Sequence, residues 1–327
     1  MSSTGTRLTL AARPWSHLVP LALREVETPG LDLRVTRRSV TPDLLAEPGL
    51  DAAETSFSRY VRSRAAGDDR TVAIPAFVMR AFRHRCILVR RDSPYDAVEQ
   101  LAGLRIGLTG WPDSGNVWTR GVLRHAGVAL ADVEWAVGPL TPDAPVTDRL
   151  GGVVPADNVR VIEPGGSLVT GLLSGTLDAI MTPFMPPGFH QPDSPLRPLL
   201  VDYPAAEMQY LRQVGYIPGI HLVTVRREVA VRRPGILTDL MAALRQSRNT
   251  WWAGQRKLAD TTPWALADIH RTERHVGADW MPYGLAGNAT MIDHFCAELS
   301  AQGLMPAPVD PTALFEEYAK AAAEEGH

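Results

Sequence analysis

The segment Val78-Met79-Arg80-Ala81-Phe82-Arg83-His84-Arg85 carries guanidinium groups and an imidazole between two runs that read as strands, Thr71 to Phe77 and Cys86 to Val89. A guanidinium offers a planar fork that matches a carboxylate in two hydrogen bonds and keeps its charge at any working pH, so Arg80 and Arg83 are candidate anion clamps. Imidazole titrates near neutral pH, where a general acid is most effective. His84 and His221, each next to a predicted strand, and His17 in an early loop are therefore the candidate proton donors. Hydroxyl and glycine turns at predicted strand-to-helix junctions could aim N–H groups at the same anion: Ser56 and Ser58, Ser114-Gly115-Asn116, and Ser167 after Gly166. Trp15 and Trp118 offer flat faces on which an aromatic ring could stack.

Every one of these residues also has a plain structural reading. The arginines could form a solvated basic loop. His221, between Ile220 and Leu222, could be a core histidine with a backbone partner. The Ser and Gly turns are wanted as helix caps whether or not anything binds, and tryptophan is more often core than platform.

The elements that must position these groups alternate short strands with helices, which predicts an α/β fold with mostly parallel sheets. Arg7 to Ala12 and Leu31 to Arg37 read as strands, and Thr41-Pro42 as the start of a short helix over Pro42 to Ala46. Glu54-Thr55-Ser56-Phe57-Ser58 leads into a helix from about Arg59 to Ala66. Leu101 to Leu108 reads as a buried strand before a Gly, Ser and Asp turn and a helix over Val117 to His125. Asn158 to Ile162 and Leu177 to Met181 are strands flanking a helix at Leu168 to Leu173, and Leu140 to Pro155 and Pro183 to Pro198 are loops. After a strand at Gly219 to Val225 the chain reads as helical to its end. Strand Cys86 to Val89 going out and strand His221 to Val225 coming back predict two lobes: 1–88 plus 225–327, including a helical cover, and 89–224. In two facing α/β lobes the strand ends line a hinged cleft.

Composition narrows the partners. With 33 basic and 36 acidic residues among 327, charge gives no reason to expect nucleic acid, and no window approaches the roughly 20 apolar residues of a membrane-spanning helix. The expected ligand is a small molecule. Cys86 and Cys296 lie far apart and outside any CxxC pair, which suits a reducing compartment and no structural zinc. The cluster Asp268, His270, Glu273 and His275 does not place its two histidines on one helical face, so no metal is expected. From Met1 to Glu25 the only apolar run is Leu18 to Leu23, broken by Pro20, which leads us to expect a cytoplasmic protein. A ligand-closing fold kept in the cytoplasm has no evident duty in uptake, which favours chemistry over transport.

The residues resemble those of the 4,5-dihydroxyphthalate decarboxylase family, which has the type 2 periplasmic-binding-protein fold. The resemblance rests on Glu54 to Tyr60, on Ala73-Ile74-Pro75-Ala76-Phe77 running into Arg80 to His84, and on Val117-Trp118-Thr119-Arg120-Gly121. Gly175 to Ile180, Gly219-Ile220-His221-Leu222-Val223 and Trp280 to Leu285 followed by Asn288 complete it. The stretch Arg13-Pro14-Trp15-Ser16-His17 departs from the family, which carries a Tyr-Asp-Arg-like run there. The resemblance implies a cofactor-independent lyase that decarboxylates a hydroxylated aromatic carboxylic acid, with His84 and His221 carried over through their flanking motifs. The alternatives are a dehydratase-type lyase on the same fold and a non-catalytic binding protein or sensor for a carboxylate. A homodimer is common among soluble enzymes, but no part of the sequence marks an interface.

Overall fold

The computed structural model describes residues 5–145, 147–277 and 279–324. Among the described residues eleven strands run in chain order: β1 (Thr6–Ala12), β2 (Leu31–Arg37), β3 (Ala52–Ser56), β4 (Thr71–Arg80), β5 (Ile87–Arg90), β6 (Arg105–Leu108), β7 (Glu134–Val137), β8 (Val159–Val161), β9 (Ala179–Met181), β10 (Leu196–Pro198) and β11 (Gly219–Arg226). The chain divides into two units, 1–80 with 219–296 and 305–327, and 81–218 with 297–304.

The first unit is built on a five-stranded sheet in the order β2-β1-β3-β11-β4. At its edge β2 alternates buried Leu31 and Leu33 with exposed Asp32 and Arg34, the period-two pattern of a strand with one wet face. Strands β3 and β11 inside the sheet and β4 at its other edge are buried almost throughout, because helices cover both faces. One cover is the helix Ile236–Lys257, whose Ile236, Leu237, Leu240, Met241 and Leu244 form the apolar stripe demanded by a 3.6-residue period and join Leu8, Leu10, Ile74 and Val223 in one core. The other cover brings Phe57, from the helix Phe57–Ala65, to 4.5 Å from Phe295 in a stacked pair and to 5.0 Å from Phe77 in an edge-on pair. Strand β11 begins where β4 ends, Gly219 pairing with Arg80. A Cβ at residue 219 would fall 2.6 Å from the Phe77 ring and 2.8 Å from Met291, so only glycine fits.

The second unit has a six-stranded sheet in the order β10-β5-β9-β6-β7-β8, with Leu88, Ala136, Leu168, Leu172, Ile180 and Leu196 in its core.

Several expectations change. The first sheet is evenly mixed, because β11 runs antiparallel to β3 and β4, while the second is parallel except where β5 runs antiparallel to β9 and β10. The unit boundaries fall at 80/81 and 218/219 instead of 88/89 and 224/225. The reason is pairing: β5 is hydrogen-bonded into the second sheet and all of β11 into the first. Pro42 to Ala46 forms no helix; its last residues, Leu44 to Ala46, make turns. The run Leu101 to Leu108 is a strand only from Arg105, after a 3-10 turn at Val98–Leu101. Strands β7 and β10 and the helix Tyr203–Val214 carry no strong sequence signal, being short or weakly amphipathic. Cys86 and Cys296 are free and buried. Among the described residues no helix is long and apolar enough to cross a membrane.

Candidate functional site

In the first unit a carboxylate lies where no water reaches it. Glu54 sits on central strand β3 with its side chain 0% exposed, a placement that is costly for a charge unless it is paired and hydrogen-bonded. It is both. Glu54 Oε2 accepts from the Arg13 backbone N–H at 2.7 Å and from Trp15 Nε1 at 3.0 Å, and Oε1 accepts from Arg13 Nε at 2.9 Å. His221, brought in on antiparallel β11, places Nδ1 2.6 Å from Oε1. Arg13 Nη2 lies 3.0 Å from that same Nδ1 and 3.0 Å from Met79 Sδ, and its guanidinium stacks 4.6 Å above the Trp15 ring. Burial pushes the Glu54 carboxyl upward, but the hydrogen bond and charge of His221 and the charge and backbone N–H of Arg13 outweigh it and hold the group at about 2. Glu54 is thus an anion, and acceptor-only, at any working pH.

The other predicted residues of this unit are more structural in their contacts. His17 is buried, its ring edge-on to Trp251 at 6.0 Å, and burial foremost, opposed by Glu54 and aided by Arg248, lowers it to about 4. Arg80 donates to the Pro282 carbonyl at 3.1 Å and to Asn288 Oδ1, lies 5.1 Å above the Phe77 ring, and is lowered to about 10 chiefly by burial. Ser56 caps the helix Phe57–Ala65 by accepting from the Arg59 N–H, and Ser58 is buried in its first turn.

In the second unit Arg83 is 1% exposed, beside the first turn of the helix Ser114–His125. Its Nε reaches Thr119 Oγ1 at 3.4 Å. Its Nη1 and Nη2 are buried with no acceptor among the described residues. Burial depresses this guanidinium below its usual range, against the opposing influence of Cys86. The helix adds to the imbalance, because its N-terminus carries the positive end of the macrodipole. Ser114, Gly115 and Asn116 form that terminus, all buried, with the Asn116 side chain donating to the Gly110 carbonyl at 2.7 Å. Glu207 and Asp113 act on the same guanidinium in the opposite sense to burial, and a buried cation with two open nitrogens at a helix N-terminus is an arrangement that could take up an anion.

His84 is buried and edge-on to Tyr210 at 5.2 Å; burial, then the neighbouring His125, lowers it to about 4. Trp118 is core, tilted against Tyr216 at 5.8 Å. Ser167 caps the helix Leu168–Ser174, accepting from the Thr170 N–H at 3.1 Å.

The structure thus joins His221 and Trp15 in one cluster and Arg83, Ser114, Gly115 and Asn116 in another. Two members of the first, Arg13 and Glu54, were not singled out from sequence. Glu54 did carry a signal: a lone carboxylate inside the run Ala52-Ala53-Glu54-Thr55 must find a cation if the strand is buried. Glu207 was missed too. Burial raises its carboxyl to about 7, against the backbone N–H of Arg85, 3.4 Å from Oε1, and the charges of Arg85 and Arg83.

Comparison with known proteins gives relatives along nearly the whole chain. A 4,5-dihydroxyphthalate decarboxylase of Comamonas testosteroni is 27% identical over 320 residues, 94% of this chain and 96% of the relative. A second protein of that name, from Pseudomonas putida, is 30% identical over 217 residues, 64% of this chain and 83% of the relative. Among solved structures, the periplasmic aliphatic sulphonate binding protein SsuA from Escherichia coli matches with a TM-score of 0.55 at 17% identity, covering 95% of this chain and 97% of that one. The fold is therefore that of the periplasmic binding proteins. No family model matches the sequence.

Proposed function

This chain belongs to the 4,5-dihydroxyphthalate decarboxylase family and is accordingly a carboxy-lyase; we propose that it removes carbon dioxide, without a cofactor, from a hydroxylated aromatic carboxylic acid resembling 4,5-dihydroxyphthalate. Such a reaction needs a grip on an anion, a proton for the ring carbon and exclusion of water. The observation that carries the reading is Arg83, a buried guanidinium with two unsatisfied nitrogens beside a helix N-terminus. A substrate carboxylate there would satisfy both nitrogens in a fork-to-fork pair. His221 is the proton donor of the proposal, with a carboxylate and a guanidinium at its Nδ1. Two buried free cysteines, Cys86 and Cys296, support a reducing, cytoplasmic setting.

The test is incubation of the pure protein with a panel of hydroxyphthalates and hydroxybenzoates while released carbon dioxide is measured. At least one should turn over, with Arg83→Met raising KM at least tenfold and His221→Asn lowering kcat at least a hundredfold. Tight binding by calorimetry with no carbon dioxide from any member would overturn the reading.

A further inference from the structure

We propose that Glu54 is a positioning residue for His221: it holds the imidazole with a proton fixed on Nδ1, so that Nε2 is the atom that passes a proton to the substrate. This rests on the reading of the chain as a decarboxylase with His221 as donor.

The geometry around Nδ1 favours one protonation state. Arg13 Nη2, 3.0 Å away, can only donate, and the ionised Glu54 Oε1, 2.6 Å away, can only accept. If Nδ1 carried a lone pair it could take the Arg13 hydrogen, but it would then face Oε1 lone pair to lone pair at the shorter of the two distances. If Nδ1 carries the proton, the short contact becomes a charge-assisted hydrogen bond. Arg13 still satisfies Glu54 through Nε at 2.9 Å and keeps Met79 Sδ at 3.0 Å. The second state leaves no polar contact repulsive except the mild N–H to N–H approach of Arg13, which the adjoining carboxylate offsets.

The charged and titratable groups about the ring come from separate elements: Arg13 from the loop after β1, Glu54 from β3, and His17, which senses Glu54, from the turn beyond. His221 keeps its side chain 12% exposed while Glu54 has none of its side chain exposed, so the ring and not the carboxylate is the member that can meet a ligand. The step balances. The imidazolium gives its Nε2 proton to the ring carbon that bears the carboxylate. The bond from that carbon to the carboxylate then breaks, its electron pair restores aromaticity and carbon dioxide leaves. The imidazole remains neutral with Nδ1–H still on Glu54, and solvent returns a proton to Nε2. Glu54 stays ionised throughout and offsets the charge of the doubly protonated ring.

Two measurements on the full chain test this. Nitrogen-15 spectra of the wild type, with the His221 signals identified by their loss in His221→Asn, should show the neutral ring protonated on Nδ1. The Nε2-protonated tautomer would overturn the proposal, and this measurement stands even if Glu54 variants fail to fold. Among active preparations, Glu54→Gln should lower kcat by roughly 10²–10⁴-fold and change KM less than threefold, with the ring tautomer no longer fixed. Glu54→Asp should recover part of the loss. If Glu54→Gln keeps wild-type kcat and tautomer while His221→Asn is inactive, the positioning role fails and the decarboxylase reading survives. If His221→Asn turns over normally, the assignment of His221 as donor fails, and the positioning role with it.

Discussion

Arg83 and Gly115 share one packed contact: a Cβ on residue 115 would lie 2.7 Å from Nη2 of the guanidinium and 3.0 Å from its Cζ. Glycine is required there by the cation and not by the helix, which would gain from alanine. Gly115→Ala should displace Arg83 and raise KM for the carboxylate substrate several-fold. Its helix-propensity gain of about 0.5–1 kcal/mol should be cancelled by the overpacking, so that urea midpoints move little or fall. An unchanged KM would show that Arg83 does not hold the substrate.

Removing Arg83 itself should make the empty protein more stable. A buried guanidinium with two unsatisfied nitrogens, next to a positive helix end, is a charge whose desolvation the nearby Cys86, Glu207 and Asp113 offset only in part. Arg83→Met keeps the length and discards the charge, so thermal unfolding should show a gain of roughly 1–3 kcal/mol together with lost substrate affinity. A destabilised variant would mean that an acceptor already satisfies Arg83 in solution.

Arg13 predicts the opposite sign from the same substitution. Its guanidinium is the cation beside a carboxylate with no exposed surface, and deleting one partner of such a pair strands the other. Arg13→Met should destabilise by about 3 kcal/mol in equilibrium urea unfolding at pH 7, with the native circular dichroism retained at low denaturant.

Acid should weaken the fold from about pH 6.5 downward. His17 and His84 are held near 4 against an ordinary value of 6.5, so between those limits the unfolded chain binds protons that the folded chain refuses. Their contribution is complete above about pH 6.5 and fades as pH falls through 4, up to about 3 kcal/mol for each ring. Glu207, raised from 4.5 to about 7, works in the other direction over pH 4.5 to 7 and reduces the net slope. Glu54, lowered from 4.5 to about 2, adds its loss only below pH 4.5. Denaturant midpoints at pH 7.5, 5.5 and 4.5 measure the slope, and His17→Phe and His84→Phe should each flatten it.

Legibility from sequence followed the range of the interactions involved. Strand β2 and the helix Ile236–Lys257 were readable because their periods of two and 3.6 lie within one segment. The antiparallel insertion of β11 was not, since strand direction in a sheet is decided by pairing between residues such as Val223 and Glu54, which lie 169 positions apart. The site divides the same way. Arg83 and His221 stood out by residue type, whereas Arg13 owes its role to a carboxylate 41 residues away that no local pattern announces. Ser167 and Ser56, chosen for the same turn chemistry as Ser114, cap their helices, as a hydroxyl at a helix start does with or without a ligand.

Because β11 completes the first sheet only after the chain has passed through residues 81–218, synthesis imposes an order on assembly. A nascent chain ending before Gly219 holds nearly all of the second unit in one continuous piece, yet leaves β3 and β4 as strands with an empty lane between them. The last piece to enter that lane brings His221, so the cluster of Arg13, Glu54 and His221 comes into being only with closure of the sheet.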